Sequence, residues 1–289
     1  MIERNPGESP SPFSRLVWEG DQARLGNLSF LIEEYGSPTP EPPELLGPSF
    51  VLYKTRHIID IYRAFWTSVP EFWPQRIFEI GVWKAGSVVF FAELFRPDKL
   101  VAIDLERRSD LAPATIRQLE RWLSTNGRSD RVKFYWEVDQ ADKNHVLSIM
   151  RQEFAAPLDL VIDDASHLYL PSKRAFEALF PHIRPGGWYA IEDWSWHLNR
   201  AFQVASHPWA TETPLMRLVE QLITVTGTNP AVIPAIRVAG QIAFVQRGTA
   251  SLAEDFTIEG ILEPRLYGRF GIYSRRLWWA TRRLWKMRG

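Results

Sequence analysis

The strongest constraint on the fold is a regular alternation of short apolar runs with helix-like segments, from about residue 51 to residue 250. Apolar runs of strand length occur in "RIFEIGV", "LVAIDLE", "VKFYWEVD", "LDLVIDD" and "GGWYAIEDW". Segments with apolar residues at helical spacing separate them, and "TRHIIDIYRAFWTSV" begins with Thr55 as a candidate N-cap. Strands that alternate with helices form a parallel sheet that helices cover on both faces.

Two late apolar runs in "AVIPAIRVAGQIAFVQRG" have the spacing of a hairpin. We therefore predict an α/β fold: a Rossmann-like, doubly wound, mostly parallel sheet with an antiparallel edge strand. Three zones follow, namely a proline-rich N-terminal arm over residues 1–50, the Rossmann-like domain over residues 51–250, and a basic amphipathic tail over residues 251–289. Such a sheet binds ligands at the carboxyl ends of its strands, where the polar motifs of this chain fall.

Composition excludes several kinds of chemistry. The chain has no cysteine, so disulfides, thiol nucleophiles and thiolate metal ligands are ruled out. The N-terminus lacks the basic-then-apolar pattern of a secretory signal, and no apolar run reaches the roughly 18 residues of a membrane span. We therefore expect a soluble, cytoplasmic protein.

A glycine loop follows the first strand of the domain, in "EIGVWKAGS". Gly81 and Gly86 let the backbone pass close to a ligand, and the next helix starts at Ser87. Asp104 ends the second strand, where an acid accepts hydrogen bonds from ribose hydroxyls. The loop lacks the middle glycine of dinucleotide sites, and the acidic Glu79 suits the positive sulfonium of S-adenosylmethionine. The alternative is a tight turn without a ligand.

Asp139 and Gln140 stand at the end of the third strand, in "VDQAD". A polar pair at this position is placed to contact the adenine edge of a nucleoside cofactor. The alternative is an ordinary turn, because strands commonly end in Asp.

Two acid pairs end the fourth and fifth strands, in "DLVIDDASH" and "RPGGWYAIEDW". If these strands are neighbours, Asp163 and Asp164 lie roughly 5 Å from Glu192 and Asp193 across the ladder. Carboxylates that close repel one another unless a cation neutralises them. An oxygen-rich, thiol-free cluster suits Mg²⁺ or another hard divalent cation.

His167 follows Asp164 by three residues, so one turn of chain can bring its imidazole back to the acids. A neutral imidazole is a competent general base near pH 7, although a histidine here can also simply bond the turn. The acids, too, have an alternative role, which is to cap helices or to pair with Lys173, Arg174 or Arg200.

Together, "EIGVWKAGS", "IDDASH" and "RPGGWYAIEDW" resemble the metal-dependent sugar O-methyltransferases of antibiotic biosynthesis, especially the mycinamicin-type macrolide-sugar enzymes. These are class I S-adenosylmethionine methyltransferases, and the resemblance covers about residues 51–247. It implies that Asp164, Glu192 and Asp193 hold the metal ion and that His167 is the base. It gives Asp163 no assured role.

The resemblance also places Glu79, Gly81 and Asp104 at the cofactor. It implies an S-adenosylmethionine- and Mg²⁺-dependent O-methyltransferase that acts on a hydroxyl of a sugar or glycosylated metabolite. Three alternatives stay open. The chain could methylate a lipid or glycolipid to which its tail recruits it, bind a cofactor without catalysis, or be a nicotinamide oxidoreductase.

The C-terminal tail concentrates positive charge. Residues 264–289 contain eight basic side chains and no acid, which leaves a net charge of −8 on the rest of the chain. "YSRRLWWATRRLWKMRG" separates apolar from basic residues on a helical wheel. We expect it to dock on the acidic body of its own or a neighbouring subunit in a homo-oligomer, with contact to a membrane surface as the alternative. No base-reading module accompanies it, so no nucleic acid partner is expected.

Overall fold

The computed structural model describes residues 11–34, 49–125, 127–207 and 209–262. The predictions for the basic stretch at residues 263–289 fall outside this part of the chain, and they stay predictions. Most of the prolines of the predicted arm lie outside it as well.

In the described residues, a small sheet precedes a large one. The strands of the small sheet are β1 (Leu16–Glu19), β2 (Gln22–Leu25), β3 (Leu28–Ile32) and β4 (Ser49–Leu52). The strands of the large sheet are β5 (Arg76–Ile80), β6 (Lys99–Ile103), β7 (Val132–Tyr135), β8 (Leu158–Asp163), β9 (Ile183–Ile191), β10 (Ile236–Ala239) and β11 (Ile242–Gln246).

The large sheet is doubly wound, with the spatial order β7-β6-β5-β8-β9-β11-β10. Neighbouring strands are parallel except where β11 pairs with β9 on one side and with β10 on the other. The predicted fold is therefore confirmed, including the antiparallel strand at one edge, where β10 is the outermost strand. The order reverses between β5 and β8, so the ligand crevice of such a sheet opens at their carboxyl ends.

Helices cover both faces of this sheet. They are α1 (Arg56–Ser68), α2 (Gly86–Phe95), α3 (Pro113–Leu123), α4 (Arg128–Arg131), α5 (Lys143–Glu153), α6 (Tyr169–Leu179), α7 (Met216–Thr228) and α8 (Ile258–Ile261). The predicted cap of α1 is present, because the Thr55 hydroxyl accepts a hydrogen bond from the Ile58 amide at 3.4 Å.

The core has two halves, one on each face of the large sheet. In β8, Leu160 and Ile162 belong to the half that contains α1, α2 and α3, whereas Val161 belongs to the half with α5, α6 and α7. Successive side chains of a strand point to opposite faces, so a strand buried on both faces is apolar along most of its length. This is why the strands were visible as continuous apolar runs.

The small sheet lies within the predicted proline-rich arm and crosses its boundary at residue 50. β1 and β2 are antiparallel, as are β2 and β3, while β3 and β4 are parallel. Phe30 is fully buried and packs edge-on against Phe90 of α2, with 5.3 Å between ring centroids. The N-terminal strands thus share the hydrophobic core of the Rossmann-like domain.

Among the helices of the described ranges, none has both the length and the apolar character required to cross a membrane.

Candidate active site at the carboxyl edge of the large sheet

The candidate site lies where β5, β8 and β9 end side by side. The Asp164 amide donates to the Ile80 carbonyl at 2.9 Å, and the Glu192 amide donates to the Asp163 carbonyl at 2.9 Å. The two acidic strand ends are therefore neighbours, as predicted, and the glycine loop after β5 adjoins the first of them.

A buried lysine joins the two acidic strand ends. The Lys54 ammonium, two residues after β4, donates to Asp164 Oδ2 at 2.6 Å and to both oxygens of Glu192 at 2.7 and 2.8 Å. The Tyr62 hydroxyl, from α1, donates to Glu192 Oε1 at 2.7 Å. Lys54 and Glu192 are each only 3% exposed and Tyr62 is 1% exposed, so the charge-assisted bonds to Glu192 are shielded from water.

The buried acids outnumber their counter-charge. Burial raises the pKa of Glu192 to about 8, with a further contribution from the charge of Asp164, although Lys54 and Tyr62 oppose it. Burial also raises the pKa of Glu79 to about 7, and Lys54 offsets this only in part. Burial alone would raise the pKa of Asp164 as well, but the adjacent Lys54 outweighs it and holds that pKa below its ordinary value. One ammonium near three carboxyl groups, of which Glu79 and Glu192 are buried and Asp164 is partly exposed, leaves room for a further cation.

Asp164, His167 and Asp193 form a compact group beside this network. Each offers a ligand atom within 4.8 Å of the others, and His167 Nε2 lies 3.8 Å from Asp164 Oδ1. His167 and Asp193 both have left-handed backbone conformations, with φ of 54° and 50°. Such strain in non-glycine residues is typical of ligand sites. Two carboxylates and an imidazole within this spacing fit a divalent cation that water and acceptor oxygens complete.

The predicted metal ligands are brought together only in part. Asp164 and Asp193 join the group with His167, while both oxygens of Glu192 accept hydrogen bonds from Lys54. Burial, followed by the charge of Asp164, raises the pKa of Asp193. Lys173, one of the counter-charges considered from the sequence, pairs with other acids instead: its ammonium lies 3.1 Å from Glu177 and 2.8 Å from Glu259.

Asp163 faces the interior rather than the crevice. Its carboxylate accepts hydrogen bonds from the Tyr189 hydroxyl at 3.1 Å and from the Gln140 amide at 3.4 Å, and burial raises its pKa to about 6. Gln140 in turn accepts from the Ser166 amide at 3.1 Å. In this arrangement Gln140 braces the turn that carries the site, and its predicted contact with adenine stays a prediction.

Aromatic rings stand on one side of His167. The ring centroids of Trp196 and Trp209 lie 5.4 and 6.4 Å from the imidazole, both edge-on. Phe202 and His207 pack against these indoles. We call these four side chains the aromatic wall; it limits the directions that the His167 ring can face.

The glycine loop passes directly over the acidic turn. Gly81 has φ of 97°, and a Cβ there would stand 2.1 Å from the carbonyl oxygen of Asp164. Only glycine permits this approach. Glu79, the acid of β5 before the loop, is fully buried, with Ser87 of α2 and the charge of Lys54 as its polar surroundings. A buried carboxylate beside the glycine loop fits a positively charged ligand group.

The other predicted cofactor residues have structural partners. Asp104 accepts from the amides of Val82 and Trp83 at 2.6 and 2.8 Å, so it secures the glycine loop. Gly86 is the first residue of α2, and Ser87 follows it in the first turn. The exposed Asp139 accepts from the Ala141 amide at 2.8 Å. Their contacts with a cofactor stay predictions.

Sequence reasoning missed Lys54 and Tyr62. A signal existed for Lys54, which follows the apolar run "SFVLY" at the end of a strand. Tyr62 gave none, because it lies among the apolar positions on the buried face of α1, where a tyrosine is usually a core residue.

The fold and a family model agree on the class of protein. A family model described as a methyltransferase domain matches residues 78–194, from within β5 to just beyond β9. With the strand order of the large sheet, this match shows that the chain carries a methyltransferase domain of the class I fold. The predicted methyltransferase domain is confirmed over these residues.

The relatives of the chain are named O-methyltransferases. Mycinamicin VI 2''-O-methyltransferase of Micromonospora griseorubida is 32% identical over 125 residues, which are 41% of this chain and 27% of the relative. Demethylmacrocin O-methyltransferase of Streptomyces fradiae is 26% identical over 196 residues, 61% of this chain and 45% of the relative. The matches span less than half the length of these relatives. A solved structure of MycE methyltransferase from the mycinamycin biosynthetic pathway, in complex with Mg, SAH and mycinamycin VI, has 26% identity and a TM-score of 0.49, with 68% of this chain and 50% of that chain covered. The resemblance seen in the motifs is confirmed.

Proposed function

We propose that this protein transfers a methyl group from S-adenosylmethionine to a hydroxyl of a sugar or glycosylated metabolite, with Mg²⁺ or another hard divalent cation. The observation that carries the proposal is the grouping of Asp164, His167 and Asp193 beside Glu79 in a methyltransferase domain. The names of the relatives, both O-methyltransferases, support oxygen as the acceptor atom.

Glu79, Gly81 and Asp104 would hold the cofactor. Bound S-adenosylmethionine supplies a methyl group on a positive sulfur. The buried carboxylate of Glu79 matches that molecule's positive charge, and the close backbone approach at Gly81 puts the loop over Asp164. Donor and acceptor sites would therefore adjoin, which favours a direct transfer because the reacting groups are held in position.

Asp164 and Asp193 would hold the cation, because their carboxylates converge and a cation would remove the repulsion that raises the pKa of Asp193. A bound divalent cation makes a coordinated hydroxyl more acidic and steadies the charge that develops on its oxygen. The aromatic wall would limit the acceptor's position, since aromatic faces pack well on the apolar faces of sugar rings.

His167 is the proposed general base. Its imidazole takes the acceptor hydroxyl proton on nitrogen while the acceptor oxygen forms a bond to the methyl carbon. The carbon–sulfur bond breaks, and its electron pair stays on sulfur, which leaves as a neutral thioether. Asp164, at 3.8 Å from Nε2, is close enough to stabilise the imidazolium that forms.

A methyl-transfer assay with mycinamicin VI and demethylmacrocin as acceptors tests the proposal. We expect turnover that EDTA abolishes and Mg²⁺ restores, and full activity in EDTA would remove the cation. His167→Ala should lose at least about 100-fold in rate while it keeps its affinity for S-adenosylhomocysteine in calorimetry. The control His145→Ala changes an exposed histidine on α5 and should keep the rate. A normal rate in His167→Ala would remove the base. Binding of NAD in place of S-adenosylhomocysteine would contradict the proposal as a whole.

A further inference from the structure

We infer that Lys54 is a positioning residue of the site. Its ammonium holds Glu192 away from the divalent cation and occupies Oδ2 of Asp164, so that Asp164 binds the divalent cation through Oδ1. Glu192 then serves as the anchor of Lys54 rather than as a metal ligand. This inference rests on the proposed function, because it requires a divalent cation at Asp164 and Asp193.

The hydrogen-bond geometry around Lys54 is complete. An ammonium has three N–H donors, and Lys54 has three oxygen acceptors at 2.6, 2.7 and 2.8 Å, one on Asp164 and two on Glu192. The Tyr62 hydroxyl adds a third hydrogen bond to the Glu192 carboxylate. For Glu192 to turn towards a metal ion, these buried charge-assisted bonds would have to break.

The chain around Lys54 holds it in place. It follows β4, whose four residues are all buried, and it precedes Thr55, the N-cap of α1. Tyr62 belongs to that same helix, so both groups that hold Glu192 come from one continuous segment. Only 3% of the Lys54 surface is exposed, so its ammonium cannot exchange these acceptors for water.

The two oxygens of Asp164 have different neighbours. Oδ2 accepts from Lys54 at 2.6 Å, whereas Oδ1 lies 3.8 Å from His167 Nε2. Lys54 thereby fixes the rotation of the carboxylate. It also repels a second cation nearby, so its removal should strengthen cation binding. Damage to the fold would weaken binding instead, and this difference in sign makes the role testable.

The test uses Mn²⁺ as the probe, with its affinity for the full chain measured by electron paramagnetic resonance and calorimetry without acceptor. We expect Lys54→Met to bind Mn²⁺ about tenfold more tightly than the wild type. Asp193→Asn should lose at least about 100-fold, whereas Glu192→Gln should stay within about tenfold of the wild type. Unchanged or weaker binding by Lys54→Met overturns the inference, and so does a loss in Glu192→Gln as large as that in Asp193→Asn.

A double variant keeps the test valid if Lys54→Met fails to fold. Lys54→Met with Glu192→Gln leaves no unpaired charge in the buried pair and should bind Mn²⁺ at least as tightly as the wild type. A loss of more than about tenfold in this variant shows that Glu192 is a ligand and overturns the inference. The two proposals fail differently: a wild type that binds no Mn²⁺ contradicts the proposed function itself, whereas a binding wild type with a disabled double variant contradicts only the role of Lys54.

Discussion

Replacement of Gly86 by alanine should separate the small sheet from the methyltransferase domain. A Cβ on Gly86 would stand 1.8 Å from the Val51 carbonyl oxygen and 2.7 Å from its carbonyl carbon. Both contacts are with the backbone of β4, so no side-chain rotation can relieve them. α2 and β4 would have to move apart by about 1 Å or more, and Lys54 lies only two residues beyond β4.

The expected cost follows from the packing that this movement disrupts. Overpacking a well-filled core costs about 1–3 kcal/mol, and a clash between two backbones belongs at or above the upper end. Gly86→Ala should therefore lower the free energy of unfolding by about 3 kcal/mol or more, measured by urea denaturation. The shift of β4 should also displace Lys54, so Mn²⁺ affinity should change in the variants that still fold.

Gly227→Ala is the matched control. Gly227 is an exposed residue of α7, and a Cβ there would meet nothing within 4 Å. Alanine is the better helix former by about 0.5–1 kcal/mol, so this variant should be as stable as the wild type or more stable. If Gly86→Ala is no less stable than Gly227→Ala, the close contact between α2 and β4 does not contribute to the stability of the fold in the way proposed.

Three further predictions concern buried charges. Tyr62→Phe removes the hydroxyl that donates to Glu192 at 2.7 Å, and urea denaturation should show a loss of about 1.5–3 kcal/mol; an unchanged midpoint would contradict that bond. Glu33→Gln removes the negative charge of the buried carboxylate that binds Lys84 of the glycine loop at 2.9 Å. Calorimetry should then show that S-adenosylhomocysteine binds several-fold more weakly. Unchanged affinity would mean that this ion pair is not needed to keep the loop in place. The folded pKa of Glu79, about 7, and that of Glu192, about 8, lie above the ordinary 4.5, so the fold retains protons that the unfolded chain has released. The free energy of unfolding in EDTA should therefore fall as pH rises from about 5 to about 8, by about 1.4 kcal/mol per pH unit for each such proton, and a flat or rising profile would refute these shifts.

The fold could be predicted because its signal repeats. A strand buried on both faces needs apolar residues at most positions, and each such run in this chain alternates with a helical pattern. The N-terminal strands lacked that redundancy. "LVWE" and "QARL" are four residues long and contain one and two polar residues, and the many prolines nearby favoured an extended arm.

The site was half predictable for a related reason. Acids that follow neighbouring parallel strands must meet at one edge, so the proximity of the acidic strand ends could be derived from their positions alone. The partner of Glu192 could not. Lys54 follows the last strand of the other sheet and lies 138 positions from Glu192 in the chain, and its place at the crevice depends on how β4 packs against α2. Spacing along the sequence contains no information about such a contact.

The origin of Lys54 has a practical consequence for protein engineering. The residues that match the methyltransferase family begin at residue 78, yet the lysine and tyrosine that hold Glu192 come before that point. A minimal fragment cut at the family boundary would contain the acids without their counter-charge. Chimeras that exchange catalytic domains with relatives should therefore place their junction ahead of β1, so that the acids and their lysine are inherited as one unit.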